Sequence, residues 1–233
     1  MILEVCANSY QSAINATEAG AHRIELCSEL SVGGITPSFG LLKQVIQVVS
    51  IPVFVLIRPR SGDFVFSKDE FDIMRQDIQV CKQLGCDGIV SGVLCYDNTI
   101  DIERTKELVE LSKPLSFTFH RAFDLVKSPT KSLEDLIEMG VNRVLSSGQE
   151  LTAEKGIHLL KQLKEMSKGN ITILPGCGIS ANNAKLFKDF GFDEIHASAS
   201  KKVFKNESIK GYGDSLQTES AIKIIKSILK NIS

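Results

Sequence analysis

Several features that define other classes of protein are missing from this sequence. No apolar run approaches the roughly 20 residues that a helix needs to cross a bilayer, and no long basic stripe accompanies the formal net charge of −1. The segment Met1–Glu4 resembles a strand and lacks the basic region, apolar stretch and cleavage site of a secretory signal. We therefore expect a cytoplasmic protein that binds neither membrane nor nucleic acid.

The six cysteines also lack the compact spacing of a small disulfide-rich protein. A chain of 233 residues, 43% hydrophobic and 24% charged, can bury a sizeable core without such cross-links. Free thiols are therefore expected, as in a reducing compartment. Cys81 and Cys86 are predicted to pack as small apolar side chains near a helix end and before a strand.

The sequence does contain a regular alternation of short, β-branched strands and helical patterns. The predicted strands are Ile2–Cys6, Arg23–Cys27, Val53–Arg58, Gly88–Gly92, Leu115–His120, Arg143–Ser147, Ile171–Leu174 and Glu194–Ala197. The predicted helices are Tyr10–Ala19, Phe39–Val49, Asp69–Leu84, Ile102–Leu111, Ser132–Met139, Ala153–Met166, Asn182–Phe190 and Ser220–Leu229. Capping residues are expected at Thr36, Ser67 and Ser180.

Eight units of about 29 residues predict a single α/β domain, a (β/α)8 TIM barrel spanning residues 1–233. The alternative is a doubly wound open sheet. That fold usually has a glycine-rich turn after its first strand, whereas this chain has Ala7–Ser9 there. The barrel is therefore the favoured fold.

Two of the predicted strands carry polar side chains on one face. In Leu3–Cys6 and Ile24–Cys27, a glutamate is followed two residues later by a cysteine. Residues two apart in a strand share a face, so Glu4 lies with Cys6, and Glu25 with Cys27. An ordinary buried strand lacks this polar face, which suggests neighbouring strands whose inner faces serve chemistry.

Functional residues of a barrel lie at the carboxyl ends of its strands and in the loops that follow. The side chains at these positions are mostly charged, imidazole or thiol groups. They are Glu4, Cys6, Glu25, Cys27, Arg58, Arg60, Cys95, His120, Arg121, Asp124, Ser147, Cys177, His196 and Ser198.

Cys6 and Cys27 have three possible roles. Adjacent strands lie about 4.8 Å apart, so the two thiols can nearly touch. Paired thiolates select Cu(I), which tolerates low coordination. The same two residues can instead fill a layer of the barrel, or form a labile disulfide.

Glu4 and Glu25 have two possible roles. A buried carboxylate requires a partner, and Arg23, Arg58 and Arg121 are the available cations, so an ion-pair network is one interpretation. The other is a general acid or base facing a small ligand, since neighbouring carboxylates separate each other's pKa values.

Two histidines strengthen the case for chemistry at this end. His120 closes the fifth strand beside Arg121 and Asp124, and His196 closes the eighth. Imidazoles transfer protons or bind metal, and an adjacent arginine can hold an anion. These four residues, with Glu4, Glu25 and Arg58, form the predicted catalytic set. Cys6 and Cys27 form the predicted metal-binding pair.

The loops after the last two strands suggest a phosphate site. Gly176–Ser180 and Ala197–Ser200 contain the small residues that let backbone amides approach an anion. The long segment Ser198–Ser215 carries four lysines and several apolar side chains. It is either a lid, an oligomer contact or simply solvated.

Seven segments together resemble the CutC family of copper homeostasis proteins. They are Glu4–Cys6, Arg23–Cys27, Gly33–Ser38, Arg58–Phe64, His120–Asp124, Leu145–Gly148 and Gly176–Ile179. The resemblance extends to about Ser198. It implies a cytosolic barrel that self-associates and handles copper, with Cu(I) attributed to the cysteines matching Cys6 and Cys27.

Two functions follow from these observations. The first is a cytosolic protein that binds Cu(I) through Cys6 and Cys27. The second is an enzyme acting on a small anionic, possibly phosphorylated, metabolite by acid/base chemistry, with no other cofactor. The apolar side chains Val203, Phe204, Ile209 and Tyr212 predict a homodimer or larger homo-oligomer.

Overall fold

The computed structural model describes residues 1–203 and 217–233, and its main feature is an eight-stranded parallel sheet. The strands are β1 (Ile2–Ala7), β2 (Arg23–Leu26), β3 (Val53–Leu56), β4 (Gly88–Ser91), β5 (Ser116–Phe119), β6 (Arg143–Ser146), β7 (Thr172–Pro175) and β8 (Glu194–Ala197). Their order is β7-β6-β5-β4-β3-β2-β1-β8. A parallel bridge between Gly176 and His196 joins the two ends. The predicted (β/α)8 barrel is confirmed.

Within the described residues, eight α-helices follow the strands. They are α1 (Tyr10–Ala19), α2 (Phe39–Val48), α3 (Lys68–Leu84), α4 (Ile102–Ser112), α5 (Pro129–Glu138), α6 (Ile157–Ser167), α7 (Ala184–Asp189) and α8 (Ile222–Ile232). All eight correspond to predicted helices, with boundaries displaced by up to four residues. Within residues 1–203 and 217–233, no helix combines the length and hydropathy needed to span a membrane.

Helix starts differ from the predictions where a polar side chain has another partner. The capping box of α3 is confirmed, with Ser67 and Glu70 bonding each other's backbone amides. Helix α2 is instead capped by Ser38, because the Thr36 hydroxyl accepts a hydrogen bond from the Arg58 amide. Ser180 does not cap α7, which begins only at Ala184.

The two faces of the strands serve different cores, as the alternation in β1 and β2 predicts. Leu3, Val5, Ile24 and Leu26 belong to the large apolar layer between sheet and helices. The barrel interior contains a smaller cluster, whose members are Cys6, Cys27, Phe54, Leu56 and Val90.

A glycine makes room for the largest side chain of that interior. A Cβ on Gly88 of β4 would lie 2.6 Å from the Phe54 ring, which is closer than packed atoms approach. The missing side chain on β4 therefore lets the β3 aromatic ring fill the barrel.

A short antiparallel pair of strands, absent from the predicted elements, lies after β8. Strands β9 (Ser200–Lys202) and β10 (Thr218–Ser220) pair antiparallel. The side chains of Asn8 and Asn15 donate hydrogen bonds to backbone carbonyls of β10. Phe204, Ile209 and Tyr212, with Lys205 and Lys210, lie outside the described residues. The lid and the homo-oligomer therefore stay predictions, the latter testable by light scattering against the 25.6 kDa chain mass.

Candidate functional site

A pocket of about 510 Å³ opens at the carboxyl ends of the strands. Its size is that of a small-molecule site. Polar and charged lining side chains are Glu25, Arg58, His120, Arg121, Asp124, His196, Ser198 and the thiols Cys6 and Cys177. Apolar lining side chains are Leu30, Val32, Leu56, Phe64, Leu125, Leu145, Ile179 and Ala197.

Beneath the pocket lies a fully paired set of charges, here called the paired layer: Glu4, Arg23, Arg143 and Glu194. Arg23 donates to Glu4 and to Glu194, each at 2.5 Å, and Arg143 Nε donates to Glu194 at 2.9 Å. The strand register explains the first contact, because Glu4 lies opposite Arg23 of β2; on its other side Glu4 lies opposite His196 of β8.

Charge compensation keeps Glu4 ionised although it is completely buried. Burial alone would raise its pKa, but Arg23 and the His196 hydrogen bond lower the pKa of Glu4 to about 2. Arg23 and Arg143 also lie over the Phe54 ring, 4.6 and 5.2 Å from its centroid. Glu4 is therefore part of an ion-pair network and does not line the pocket.

His196 connects the paired layer to the pocket. Its Nδ1 lies 2.8 Å from Glu4 Oε1 and 3.8 Å from Glu25 Oε2. Burial lowers the pKa of His196, but the hydrogen bond and charge of Glu4 and the charge of Glu25 raise it above its ordinary value. The three side chains lie close enough together to surround one cation.

Glu25 differs from Glu4 because no described residue donates a hydrogen bond to its buried oxygen. It is 5% exposed, and Oε2 makes no hydrogen bond to any described residue. Burial raises the pKa of Glu25 to about 7, against the opposing charges of His196 and Arg23. The two glutamates, equivalent in sequence, thus have different environments.

Cys6 and Cys27 lie beside Glu25 with their sulfur atoms 3.6 Å apart. Both thiols are buried, and Cys6 lines the pocket while Cys27 is fully enclosed. The contact with Cys27, burial and the nearby carboxylates all raise the pKa of Cys6. All six cysteines of the chain are free thiols.

Arg58 follows β3 and is held by backbone carbonyl groups rather than by a carboxylate. Its Nη1 donates to the carbonyls of Val32 and Gly34 at 3.0 and 2.9 Å, and its Nη2 to that of Gly62 at 2.6 Å. The remaining donor, Nε, is buried and has no partner among the described residues. Burial and the charge of Arg60 lower the pKa of Arg58.

His120 follows β5 and presents a second unpaired nitrogen. Its Nδ1 accepts from the Ala122 amide at 3.3 Å, and its buried Nε2 has no hydrogen-bond partner in the part of the chain that the structure describes. Burial, with the charge of Arg58, lowers the pKa of His120 to about 3, so the ring is neutral near pH 7. Gly92 makes room for it, because a Cβ there would lie 2.8 Å from Nδ1.

Arg121 and Asp124 hold a loop at the rim. Asp124 accepts from Arg121 Nε at 2.8 Å and from Ser146 Oγ at 2.6 Å. It also accepts from the amide and the hydroxyl of Ser147, each at 3.0 Å. This carboxylate is saturated, and its visible role is to fasten the segment after β5 to that after β6.

The segments after β7 and β8 form one wall of the pocket. Two of their amides already have protein partners, since Gly176 N donates to Ser146 O and Ser180 N to Asn183 Oδ1. Cys177 Sγ contacts the Leu151 carbonyl at 3.2 Å. Phosphate binding by these loops stays a prediction.

The structure brings six of the seven predicted catalytic residues to one pocket; the exception is Glu4, which lies below it. Sequence analysis missed the apolar wall, including Phe64, and the partners Arg143 and Glu194. A signal for Glu194 was available: it lies two residues before His196 in β8 and so shares its inward face.

These observations define a (β/α)8 barrel with a polar pocket at the carboxyl ends of its strands. The model of the CutC family matches residues 1–201. The chain therefore belongs to the CutC family.

Three similar proteins extend the comparison. A CutC family protein from Histophilus somni is 46% identical over 212 residues, covering 91% of this chain and 86% of the relative. The copper homeostasis protein cutC homolog of Homo sapiens is 44% identical over 246 residues, covering 99% and 90%. A crystal structure of the putative copper homeostasis protein CutC from Streptococcus agalactiae has a TM-score of 0.80 at 33% identity, covering 85% of this chain and 98% of that one.

Proposed function

We propose that this protein acts in the cytoplasm as a Cu(I)-binding protein of copper homeostasis, with Cys6 and Cys27 as ligands. The observation that carries the proposal is the 3.6 Å separation of the two sulfur atoms at the floor of an open pocket. Copper homeostasis is the function named for the similar proteins of Homo sapiens and Mus musculus.

The chemistry of the pair favours Cu(I) over harder ions. Two soft sulfur donors suit Cu(I), whereas a structural zinc site uses four ligands. The third pocket thiol, Cys177, lies on another wall beside the Leu151 carbonyl. The pocket supplies a route for the ion to Cys6.

Binding is expected to release protons. Because contact with Cys27 and burial raise the pKa of Cys6, its thiol is protonated near pH 7 in the free protein. A thiolate is the form that binds metal, so Cu(I) must displace that proton. Titration in weakly buffered solution is expected to acidify the medium in proportion to the Cu(I) bound.

The test is competition for Cu(I) with a chromophoric chelator under anaerobic, reducing conditions. The wild-type protein is expected to take one Cu(I) per chain, and Cys6→Ser with Cys27→Ser is expected to abolish this. The matched control is Cys81→Ser with Cys86→Ser, because that pair is also buried but lies in the outer core. Equal Cu(I) binding by the Cys6/Cys27 double variant would disprove the proposal.

A second candidate function is an enzyme that moves a proton on a small anionic metabolite. The observation that favours it is Glu25 Oε2, which accepts no hydrogen bond from a described residue and lies 3.8 Å from His196 Nδ1. A carboxylate beside an imidazole in a pocket of this size can move a proton to or from a bound ligand.

Proton transfer is testable without knowledge of the full reaction. The protein is incubated in D₂O with pooled small carboxylates and phosphate esters, and NMR detects loss of C–H signals. Exchange that requires Glu25, and is absent in Glu25→Gln, is expected. Absence of exchange throughout the pool would count against the enzyme while leaving the copper proposal intact.

A further inference from the structure

Three of the five buried side-chain atoms without a hydrogen-bond partner, within residues 1–203 and 217–233, belong to residues that line the same pocket. They are Glu25 Oε2, Arg58 Nε and His120 Nε2. Each of these residues is 5% exposed. Buried polar groups normally have partners because an unmade hydrogen bond is costly. Their concentration at one place therefore points to a ligand that supplies the missing bonds.

Two of the three atoms are hydrogen-bond donors. Arg58 Nε–H is a donor by its chemistry. His120 Nδ1 accepts from the Ala122 amide, so the proton of the neutral ring is on Nε2. Both residues contact the same ring: Arg58 Cζ is 4.8 Å from the Phe64 centroid, and the His120 ring centroid is 4.7 Å from it. Two donors beside one aromatic side chain match an oxyanion.

The charge at this corner favours an anion of a single charge. The other Arg58 donors are occupied by three neutral carbonyls, so no described carboxylate bonds to this guanidinium. Arg121, in contrast, is paired with Asp124. With Glu25 also facing the pocket, a dianionic phosphate would meet more repulsion than a carboxylate.

The rest of the pocket favours an apolar body on the ligand. Leu56, Leu145 and Ile179 line it, together with four other apolar side chains larger than alanine. The volume of about 510 Å³ suits a small molecule.

We infer that the pocket binds small organic monocarboxylates, with the carboxylate at Arg58 Nε and His120 Nε2 and an apolar body against the apolar lining. The inference deepens the second candidate function by naming its ligand class, but it requires binding only and not turnover. It is also independent of Cu(I), because neither donor belongs to the thiol pair.

The probes are benzoate and hexanoate, with benzamide and hexanamide as neutral counterparts of the same shape. Binding is measured by ligand-observed NMR and calorimetry on the whole protein. Both carboxylates are expected to bind, and both amides at least about tenfold more weakly, because the charge-assisted bonds are lost. Equal binding of acids and amides, or no binding of either acid, would overturn the inference.

Two variants locate the carboxylate. His120→Asn keeps an acceptor near the Ala122 amide but removes Nε2–H, and it is expected to weaken benzoate about tenfold. Arg58→Lys keeps the charge and is expected to weaken benzoate similarly. Because Arg58 also bonds three carbonyl groups, circular dichroism and the melting temperature must confirm that the Arg58→Lys protein folds. If it does not fold, the affinity of His120→Asn for benzoate decides the test.

Controls separate the inference from the other proposals. Arg75→Gln removes an exposed arginine on α3 and is expected to leave benzoate affinity within twofold. The Cys6→Ser, Cys27→Ser protein is expected to retain benzoate binding while losing Cu(I). Inorganic phosphate displacing benzoate as strongly as hexanoate does would overturn the monocarboxylate assignment. Benzoate binding without any deuterium exchange would support the inference and disprove only the enzyme.

Discussion

Two neighbouring regions of the barrel interior are both buried and charged, yet they differ in how their polar groups are paired. In the paired layer, Glu4, Arg23, Arg143 and Glu194 form a continuous series of ion pairs. The region above, here called the pocket layer, comprises Glu25, Arg58 and His120. Each of these side chains has one buried atom without a hydrogen-bond partner among residues 1–203 and 217–233.

The difference teaches how structural and functional charge are distinguished. A buried charge is tolerated when an opposite charge and hydrogen bonds compensate the loss of water. The paired layer meets this condition by itself. The pocket layer does not, and its three residues line a pocket, so a ligand is the expected source of compensation.

The largest expected effect breaks the paired layer. Arg23→Met leaves Glu4 and Glu194 buried without their shared cation, and is expected to reduce the free energy of unfolding by about 3–5 kcal/mol. Urea unfolding followed by circular dichroism measures this. Arg75→Met, which removes an exposed ion-pairing arginine, is the control and is expected to cost less than about 1 kcal/mol. If both variants lost the same free energy of unfolding, the ion pairs of the paired layer would contribute no more than exposed ones.

A smaller effect is expected in the pocket layer, where burial favours the neutral form of the carboxyl group. Burial raises the pKa of Glu25 to about 7, so the folded protein retains a proton that the unfolded chain releases near pH 4.5. This contribution to stability is complete below pH 4.5 and is lost as the pH rises through 7, which amounts to about 3 kcal/mol.

Glu25→Gln cannot titrate and is expected to lose less stability than the wild type between pH 4.5 and 8. Urea unfolding at several pH values measures the difference. Glu18→Gln, at an exposed position on α1, is the control and is expected to follow the wild type. If the Glu25→Gln protein had the wild-type pH dependence of stability, burial would not raise the pKa of Glu25.

His120 is expected to give a pH effect in the acid range. Its pKa is lowered to about 3 by burial and by Arg58, so only the unfolded chain binds a proton as the pH falls below 6.5. The stability present above pH 6.5 is therefore lost towards pH 3, by about 2–3 kcal/mol at pH 4.5. His120→Asn removes this part of the acid sensitivity in urea unfolding at pH 7 and 4.5, whereas His158→Gln, at an exposed site on α6, does not.

The smallest expected effect concerns Phe54, which contacts both regions. Arg23 and Arg143 lie over its ring, and it packs in the interior cluster with Cys6 and Cys27. Phe54→Leu keeps an apolar side chain but loses the two cation–π contacts, at an expected cost of about 1–2 kcal/mol. Phe39→Leu, at an exposed ring with Lys43 6.0 Å away, is expected to change the unfolding free energy far less.

Much of the barrel could be predicted because its information is local. Strand and helix patterns alternate along the chain, and glycine and capping residues mark several boundaries. The missed elements, β9 and β10, are three residues each and flank a long connection, so they carry too little periodicity to be recognised. The predicted helix cap at Thr36 is wrong, because the Thr36 hydroxyl accepts a hydrogen bond from the amide of Arg58, a residue distant in sequence.

The sequence by itself determined which side chains face the barrel interior, because the two-residue period of a strand places Glu4 with Cys6, and Glu25 with Cys27. It did not determine which of those charges are paired. Strand register and barrel closure bring Glu4 against Arg23 and His196, and leave Glu25 Oε2 without a hydrogen bond from any described residue. Pairing is decided by distances between strands far apart along the chain, and those distances exist only once the sheet has closed.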